Sequence, residues 1–344
     1  MEKEKISQIA TKLCQTPKGI LAADESTKTI EKRLNSIKIE SNLESRRDYR
    51  ELLFKAEGIK DYISGIILYD ETIKQDGSDG IPFTKFLSNN NIIPGIKVDK
   101  GAIPISSGSD EKITEGLDGL AKRLSEYKSL GAKFTKWRAI IEINNEKKIP
   151  SDYCIQSNVF MLARYARIVQ ENGMVPIVEP EVLMDGNHSI NDCYEVTRKT
   201  LKLLFNQLNS HGVYLGGMLL KPNMVISGKR CSSQASIKDV AKMTLKCLEE
   251  NVSPEVPGIV FLSGGQSNEL ATEHLNEMNK LKKKLPWKLS FSYGRALQQP
   301  SLSLWQGKKE NVKNAQDALY LRSKLNSNAT LGNYSSNDEK KMPC

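Results

Sequence analysis

Eight short apolar runs punctuate the chain, and each closes on charged or glycine-rich positions. They occupy residues 19–25 (GILAADE), 62–70 (YISGIILYD), 92–100 (IIPGIKVDK) and 132–141 (AKFTKWRAII). The remaining four are 174–182 (MVPIVEPEV), 216–224 (GGMLLKPNM), 258–265 (GIVFLSGG) and 288–296 (KLSFSYGRA). Each has strand length, is rich in β-branched or aromatic residues and lacks sustained alternation, the pattern of strands buried on both faces. Helical periodicity fills the intervals. Leu117, Leu120, Ala121, Leu124 and Tyr127 recur on one helix face before Gly131, and Val159, Leu162, Ala163, Ala166 and Val169 do so before Gly173. A glycine at that position is a helix stop. Strand and helix alternating about eight times, roughly 30–45 residues per unit, predict a single (β/α)8 TIM barrel over residues 1–323. A doubly wound open sheet is the second choice, since it does not usually need eight parallel units. From Lys324 onward the chain is polar and aperiodic, so residues 324–344 are expected to form a mobile arm.

Composition removes several classes of function. No run of about 18 apolar residues is present, and the start, MEKEKISQIATKLCQ, lacks the apolar centre of a signal peptide. Cysteines 14, 154, 193, 231, 247 and 344 are scattered without a CxxC, which suits reduced thiols and a cytoplasmic location. The net charge of +9 invites a nucleic-acid reading. Its basic residues are spread along the chain, however, and the densest run, Lys280–Lys284, reads as the end of an exposed helix without interleaved aromatics. Nucleic acid is therefore not an expected partner, whereas a small phosphorylated anion suits the charge equally well. His188, His211 and His274 have no partner at metal-ligand spacing, and no dinucleotide-binding glycine pattern follows the first strand. Neither metal nor organic cofactor is expected.

Barrel chemistry collects at the carboxyl ends of strands. Those ends carry Asp24, Asp70, Asp99 with Lys100, Lys136 with Arg138, Glu179 with Glu181, Lys221, the SGGQS of 263–267 and the YGR of 293–295. Residues two apart share a strand face, so Lys136 and Arg138 should meet Glu179 and Glu181 over the barrel axis. Lys221 is held stiffly, because the residue before a proline is pushed to an extended backbone. A lysine crowded by a second cation between low-dielectric walls gives up its proton more readily, and a neutral amine can attack a carbonyl. Glu179 and Asp24 would supply the proton transfers. Ion pairs serving packing alone remain the plainer account of such a cluster. Ser263, Gly264 and Gly265, with Gly294 and Arg295, fall in the two loops where barrels often hold a phosphate.

These segments are familiar together. KGILAADEST, KVDKG, KWRA, VPIVEPEVL, LLKPNMV, FLSGGQS and FSYGRALQ stand in the order of the signature segments of class I fructose-bisphosphate aldolases, and the chain resembles that family over roughly residues 5–335. The resemblance implies a metal-independent lyase of glycolysis and gluconeogenesis that cleaves fructose 1,6-bisphosphate through a lysine Schiff base. It places the Schiff base on Lys221, acid–base work on Glu179 with Glu181 beside it, carbon–carbon cleavage on Asp24 and charge stabilisation on Lys136 with Arg138. One phosphate would be held by Ser263, Gly264, Gly265, Gly294 and Arg295, the other near Ser26, Thr29, Arg33 and Lys100. A homotetramer and cytoskeletal partners are implied likewise. Two departures stand out. Lys28 replaces a usual glycine, and Cys344 stands where relatives commonly carry a terminal tyrosine, so slow protonation of the enamine is expected. Another Schiff-base sugar-phosphate aldolase, a transaldolase or a barrel kept mainly as a binding scaffold are the alternatives.

Overall fold

The computed structural model describes residues 2–343. Its strands are β1 (Gly19–Ala22), β2 (Ile63–Leu68), β3 (Ile93–Lys97), β4 (Gly101–Pro104), β5 (Lys112–Glu115), β6 (Phe134–Ile141), β7 (Val175–Val182), β8 (Leu219–Leu220), β9 (Gly258–Phe261) and β10 (Lys288–Tyr293). Eight of them close a parallel barrel in the order β1-β10-β9-β8-β7-β6-β3-β2, as the spacing of apolar runs predicts. The other two, β4 and β5, form an antiparallel hairpin in the loop after β3. That hairpin was hidden in the sequence because three of the four β4 positions are exposed and carry no core pattern. β8 is only two residues long. Gly216 and Gly217 precede it in a short 3-10 turn, and Pro222 cannot donate to a ladder. The parallel register nevertheless extends to the Lys221 N–H, which donates to the Val178 carbonyl at 2.8 Å.

The barrel has two cores. Outside, helices such as Asp152–Glu171, Ile190–Ser210 and Val312–Thr330 pack their apolar faces on the sheet. Inside, Ile20, Ala22, Ile67, Phe134, Val175, Ile177, Leu219 and Val260 form a separate cluster. The N-terminal helix Glu2–Leu13 plugs the amino end of this interior with Ile6, Ala10 and Leu13, spaced for one helix face. Phe134 fills space that glycines leave open: a Cβ on Gly95 would stand 2.2 Å from its ring. Deleting a ring so enclosed typically costs about 3–5 kcal/mol.

The chain does not turn aperiodic at Lys324, where a mobile arm is expected. The helix Val312–Thr330 continues through it, burying Leu325, Asn326, Ala329 and Thr330. Asparagines and serines hid this turn from the pattern, because they are buried by hydrogen bonds: Asn326 Nδ2 donates to the Arg322 carbonyl at 2.9 Å, and Ser323 to that of Leu319. Beyond it Tyr334 is also buried. Cys344 lies outside the described residues.

Candidate active site

On four strands, β1, β6, β7 and β8, the interior stripe is apolar near the amino end and charged at or just beyond the carboxyl end. Phe134 is followed on its face by Lys136 and Arg138, Val175 and Ile177 by Glu179 and Glu181, Leu219 by Lys221, and Ile20 and Ala22 by Asp24. Strand parity alone therefore stacks the ionic groups above a greasy floor. Each residue to which the resemblance gives a catalytic or phosphate-binding part lines one cavity of about 980 Å³ at this mouth, Ser26, Ser263 and the glycines included.

At its base runs a chain of buried charges. Lys221 Nζ lies 3.1 Å from Glu179 Oε1, Glu179 Oε2 lies 3.3 Å from Lys136 Nζ, and Lys136 Nζ lies 2.7 Å from Asp24 Oδ2. The first two contacts share one carboxylate, so Glu179 sits between two lysines. Burial opposes ionisation of Asp24, but Lys136 and Lys221 outweigh it and hold the carboxyl at about 2. Glu179 is likewise lowered against burial, by Lys136, Lys221 and Arg138. Burial also works against the charge on Lys136, and Asp24, Glu179 and Asp99 overcome it, raising its pKa above the ordinary lysine value. Lys136 is thus a firmly held cation, whereas Lys221 meets a single carboxylate at ion-pair distance among the described residues. Glu181 is engaged by the Arg138 guanidinium, and the backbone N–H of Arg138 donates to Asp99 Oδ2 at 3.2 Å.

Lysine 221 owes its rigidity to more than Pro222. Asn223 Oδ1 accepts from the Val182 N–H at 3.0 Å, and its Nδ2 donates to Thr197, which ties the segment after β8 to the end of β7. Around the rim, Gly264 and Gly265 have φ of +56° and +85°, a left-handed pair that side chains rarely adopt. Successive backbone N–H groups in such a turn make a concave anion site. Gly294 precedes the helix Arg295–Trp305, whose N-terminus has no side-chain cap. Across the mouth, Ser26 precedes the helix Thr27–Ser36, also without a side-chain cap, and its Oγ lies 3.0 Å from Thr29 Oγ1. Arg33 pairs with Glu25 at 2.6 Å, and Lys100 is exposed at the rim. Lys28 is exposed on the same helix and does not line the cavity.

Some mouth residues were not singled out from the sequence. Lys97 faces inward two residues after Gly95 and pairs with Asp99 at 2.6 Å; strand parity could have found it. Ser292 at the end of β10 is buried, and its hydroxyl has no partner among the described residues. Lys229 comes from an irregular segment that no periodicity marks. Asp70, by contrast, is already occupied by Tyr127 and Lys74. Among the described residues, no group of three or more His, Cys, Asp or Glu is placed to hold a metal ion. His274 and His188 are buried and His211 is partly so, none of them beside a ligand partner. A buried lysine-carboxylate relay beneath two uncapped helix ends can bind a doubly phosphorylated carbonyl compound and move protons about its centre.

Residues 5–343 match the family model described as "Fructose-bisphosphate aldolase class-I". The probable fructose-bisphosphate aldolase class 1 of Xanthomonas campestris pv. campestris is 53% identical over 335 residues, covering 97% of this chain and 99% of that protein. The fructose-bisphosphate aldolase of Plasmodium falciparum is 51% identical over 331 residues, with 96% and 89% covered. A solved structure of fructose-bisphosphate aldolase from Plasmodium falciparum, in a ternary complex with TRAP and a small molecule inhibitor, matches with a TM-score of 0.96 at 50% identity. It covers 97% of this chain and 96% of that one.

Proposed function

We propose how the residues of this mouth divide the work from one premise: the chain belongs to the class I fructose-bisphosphate aldolase family. Its reaction is the reversible, metal-independent cleavage of fructose 1,6-bisphosphate to dihydroxyacetone phosphate and glyceraldehyde 3-phosphate through a lysine Schiff base. Lys221 is the amine. It passes its proton to Glu179, 3.1 Å away, and attacks the ketose carbonyl carbon. Glu179 returns that proton to the oxygen of the resulting carbinolamine, which leaves as water and gives the iminium. Asp24 then takes the proton of the C4 hydroxyl while the C3–C4 bond breaks. The bond's electron pair flows into the iminium and forms an enamine, and the aldehyde half departs. Protonation at C3 and hydrolysis of the iminium release the second product and restore Lys221.

Lys136 stays charged throughout and stabilises negative charge at the reacting carbons without having to reorganise. Glu181 fixes Arg138 beside it. The Ser263–Gly265 turn with Gly294 and Arg295 takes one phosphate. The other meets Ser26, Thr29, Arg33 and Lys100 around the N-terminus of the helix Thr27–Ser36. The observation that carries this assignment is Glu179 standing between two buried lysines, only one of which is encircled by carboxylates.

Borohydride reduction with dihydroxyacetone phosphate in EDTA, followed by peptide mass mapping, tests it. The expected result is a covalent adduct on Lys221 and none in Lys221→Met. Folded wild-type protein that yields no adduct would leave Lys221 a structural residue. The family further implies a homotetramer, with a light-scattering mass four times the 38.5 kDa chain. The TRAP complex of the Plasmodium relative supports protein partners as a second class of ligand, beside the phosphorylated ketose.

A further inference from the structure

We propose that Lys229 is an additional cation of the phosphate subsite at the Ser263–Gly265 turn, exchanging its ion pair with Asp185 for the phosphate of the bound ketose. The inference rests on the phosphate reading of that turn given above.

The backbone of Lys229 is fixed by a ladder outside the barrel sheet. Its N–H donates to the Met184 carbonyl at 2.8 Å, flanked by Gly228 to His188 at 2.9 Å and Arg230 to Gly186 at 2.7 Å. The two segments approach so closely that a Cβ on Gly228 would lie 2.6 Å from the Gly186 carbonyl oxygen. The side chain, in contrast, is half exposed and lines the mouth. Its ammonium lies 2.9 Å from the point a Cβ on Gly265 would occupy, so it stands over the second glycine of the turn. The missing side chain at Gly265 thus serves two needs, the left-handed backbone and room for a cation.

In the free protein this ammonium meets Asp185 Oδ1 at 3.0 Å, with the side chains 41% and 61% exposed. Such a pair is weakly held, because water screens it and two flexible side chains must be ordered. A phosphate monoester brings more charge than a carboxylate and three acceptor oxygens. Asp185, already wetted, loses little when released. The positive end of the helix Arg295–Trp305 and the Arg295 guanidinium add to the same field. The exchange therefore runs toward phosphate when phosphate is present.

The test is a concentration series of dihydroxyacetone phosphate in the borohydride trap, with unphosphorylated dihydroxyacetone in parallel. Lys229→Met should raise the half-saturating concentration of the phosphate ester about five- to thirtyfold, the range of one charged hydrogen bond in a partly wet site. It should leave that of dihydroxyacetone unchanged, which a merely structural role would not. Lys229→Arg should stay within about threefold of wild type, and Asp185→Asn should lower the value by freeing the cation. Half-saturation of Lys229→Met within twofold of wild type would overturn the proposal, as would an equal loss for both ketones. If wild type traps neither compound on Lys221, the aldolase reading itself falls and takes this proposal with it, an outcome visible before any variant is made.

Discussion

At the scale of single residues, the site is defined by which charges are compensated. Lys136 answers two carboxylates and cannot be removed without exposing a buried anion. Lys136→Met should destabilise the protein by about 3 kcal/mol at neutral pH, the usual order for orphaning one partner of a buried pair. It should also reduce turnover by at least about a hundredfold. The acid response gives a second readout. Asp24 is held at about 2 against an ordinary 3.8, so the unfolded chain binds the extra proton between those values. Its contribution is present above about pH 3.8 and lost as pH falls through 2. Without Lys136 the folded pKa rises toward the unfolded one, so this contribution shrinks at every higher pH. Thermal melts at pH 7 and 4 of wild type and variant check this; a variant with the wild-type melting point at both would show the pair to be dispensable.

At the scale of elements, the Ser263–Gly265 turn is braced by the helix behind it. His274 of the helix Asn268–Leu281 is bonded through Nδ1 to Gln266 Oε1 at 2.6 Å, and Gln266 donates to the Ser263 carbonyl from both backbone and side chain. Burial lowers the pKa of His274 to about 4, and its Nε2 has no acceptor among the described residues. A depressed folded value means that the unfolded chain takes up the proton first. The stabilisation is complete above about pH 6.5 and is lost as pH falls toward 4, amounting to about 3 kcal/mol if the full shift is realised. Hydrogen exchange at residues 263–267 should accelerate across that window, and the acid slope of the melting temperature should flatten in His274→Gln. An unchanged slope would place the brace elsewhere.

At the scale of the whole molecule, residues far apart in sequence close the barrel. β1 pairs with β10, Ser290 Oγ donates to the Lys18 carbonyl, and Gln298 Nε2 reaches the Ala22 carbonyl at 2.6 Å and Glu25 at 2.8 Å. The C-terminal segment is latched in the same way. Glu339 accepts from Arg322, a fully buried guanidinium, at 2.6 Å through each of its oxygens, and from the Tyr334 hydroxyl at 2.8 Å. Glu339→Gln should loosen residues 331–343, read as faster proteolysis and exchange there, at a cost of about 1–3 kcal/mol because the carboxylate is partly wet. Equal protection in the variant would mean that packing of Tyr334 alone holds the segment.

The sequence by itself determined the barrel and most of its mouth. Near-continuous apolar runs of strand length tolerate few arrangements, and eight alternations with helices put the closed barrel ahead of a doubly wound open sheet. Parity carried the argument one step further, because residues two apart on a strand must share a face; Lys136, Glu179 and Lys221 are buried together for that reason. What followed the first strand, Ser26, Thr29 and Arg33, was readable only through the family resemblance. The tertiary structure alone decided the rest: the β4–β5 hairpin, the helical continuation to Thr330 and the placing of Lys229 over Gly265. These depend on contacts between distant segments, which no local period encodes. Which lysine is encircled by carboxylates belongs to the same class, since it is a matter of distances across the mouth.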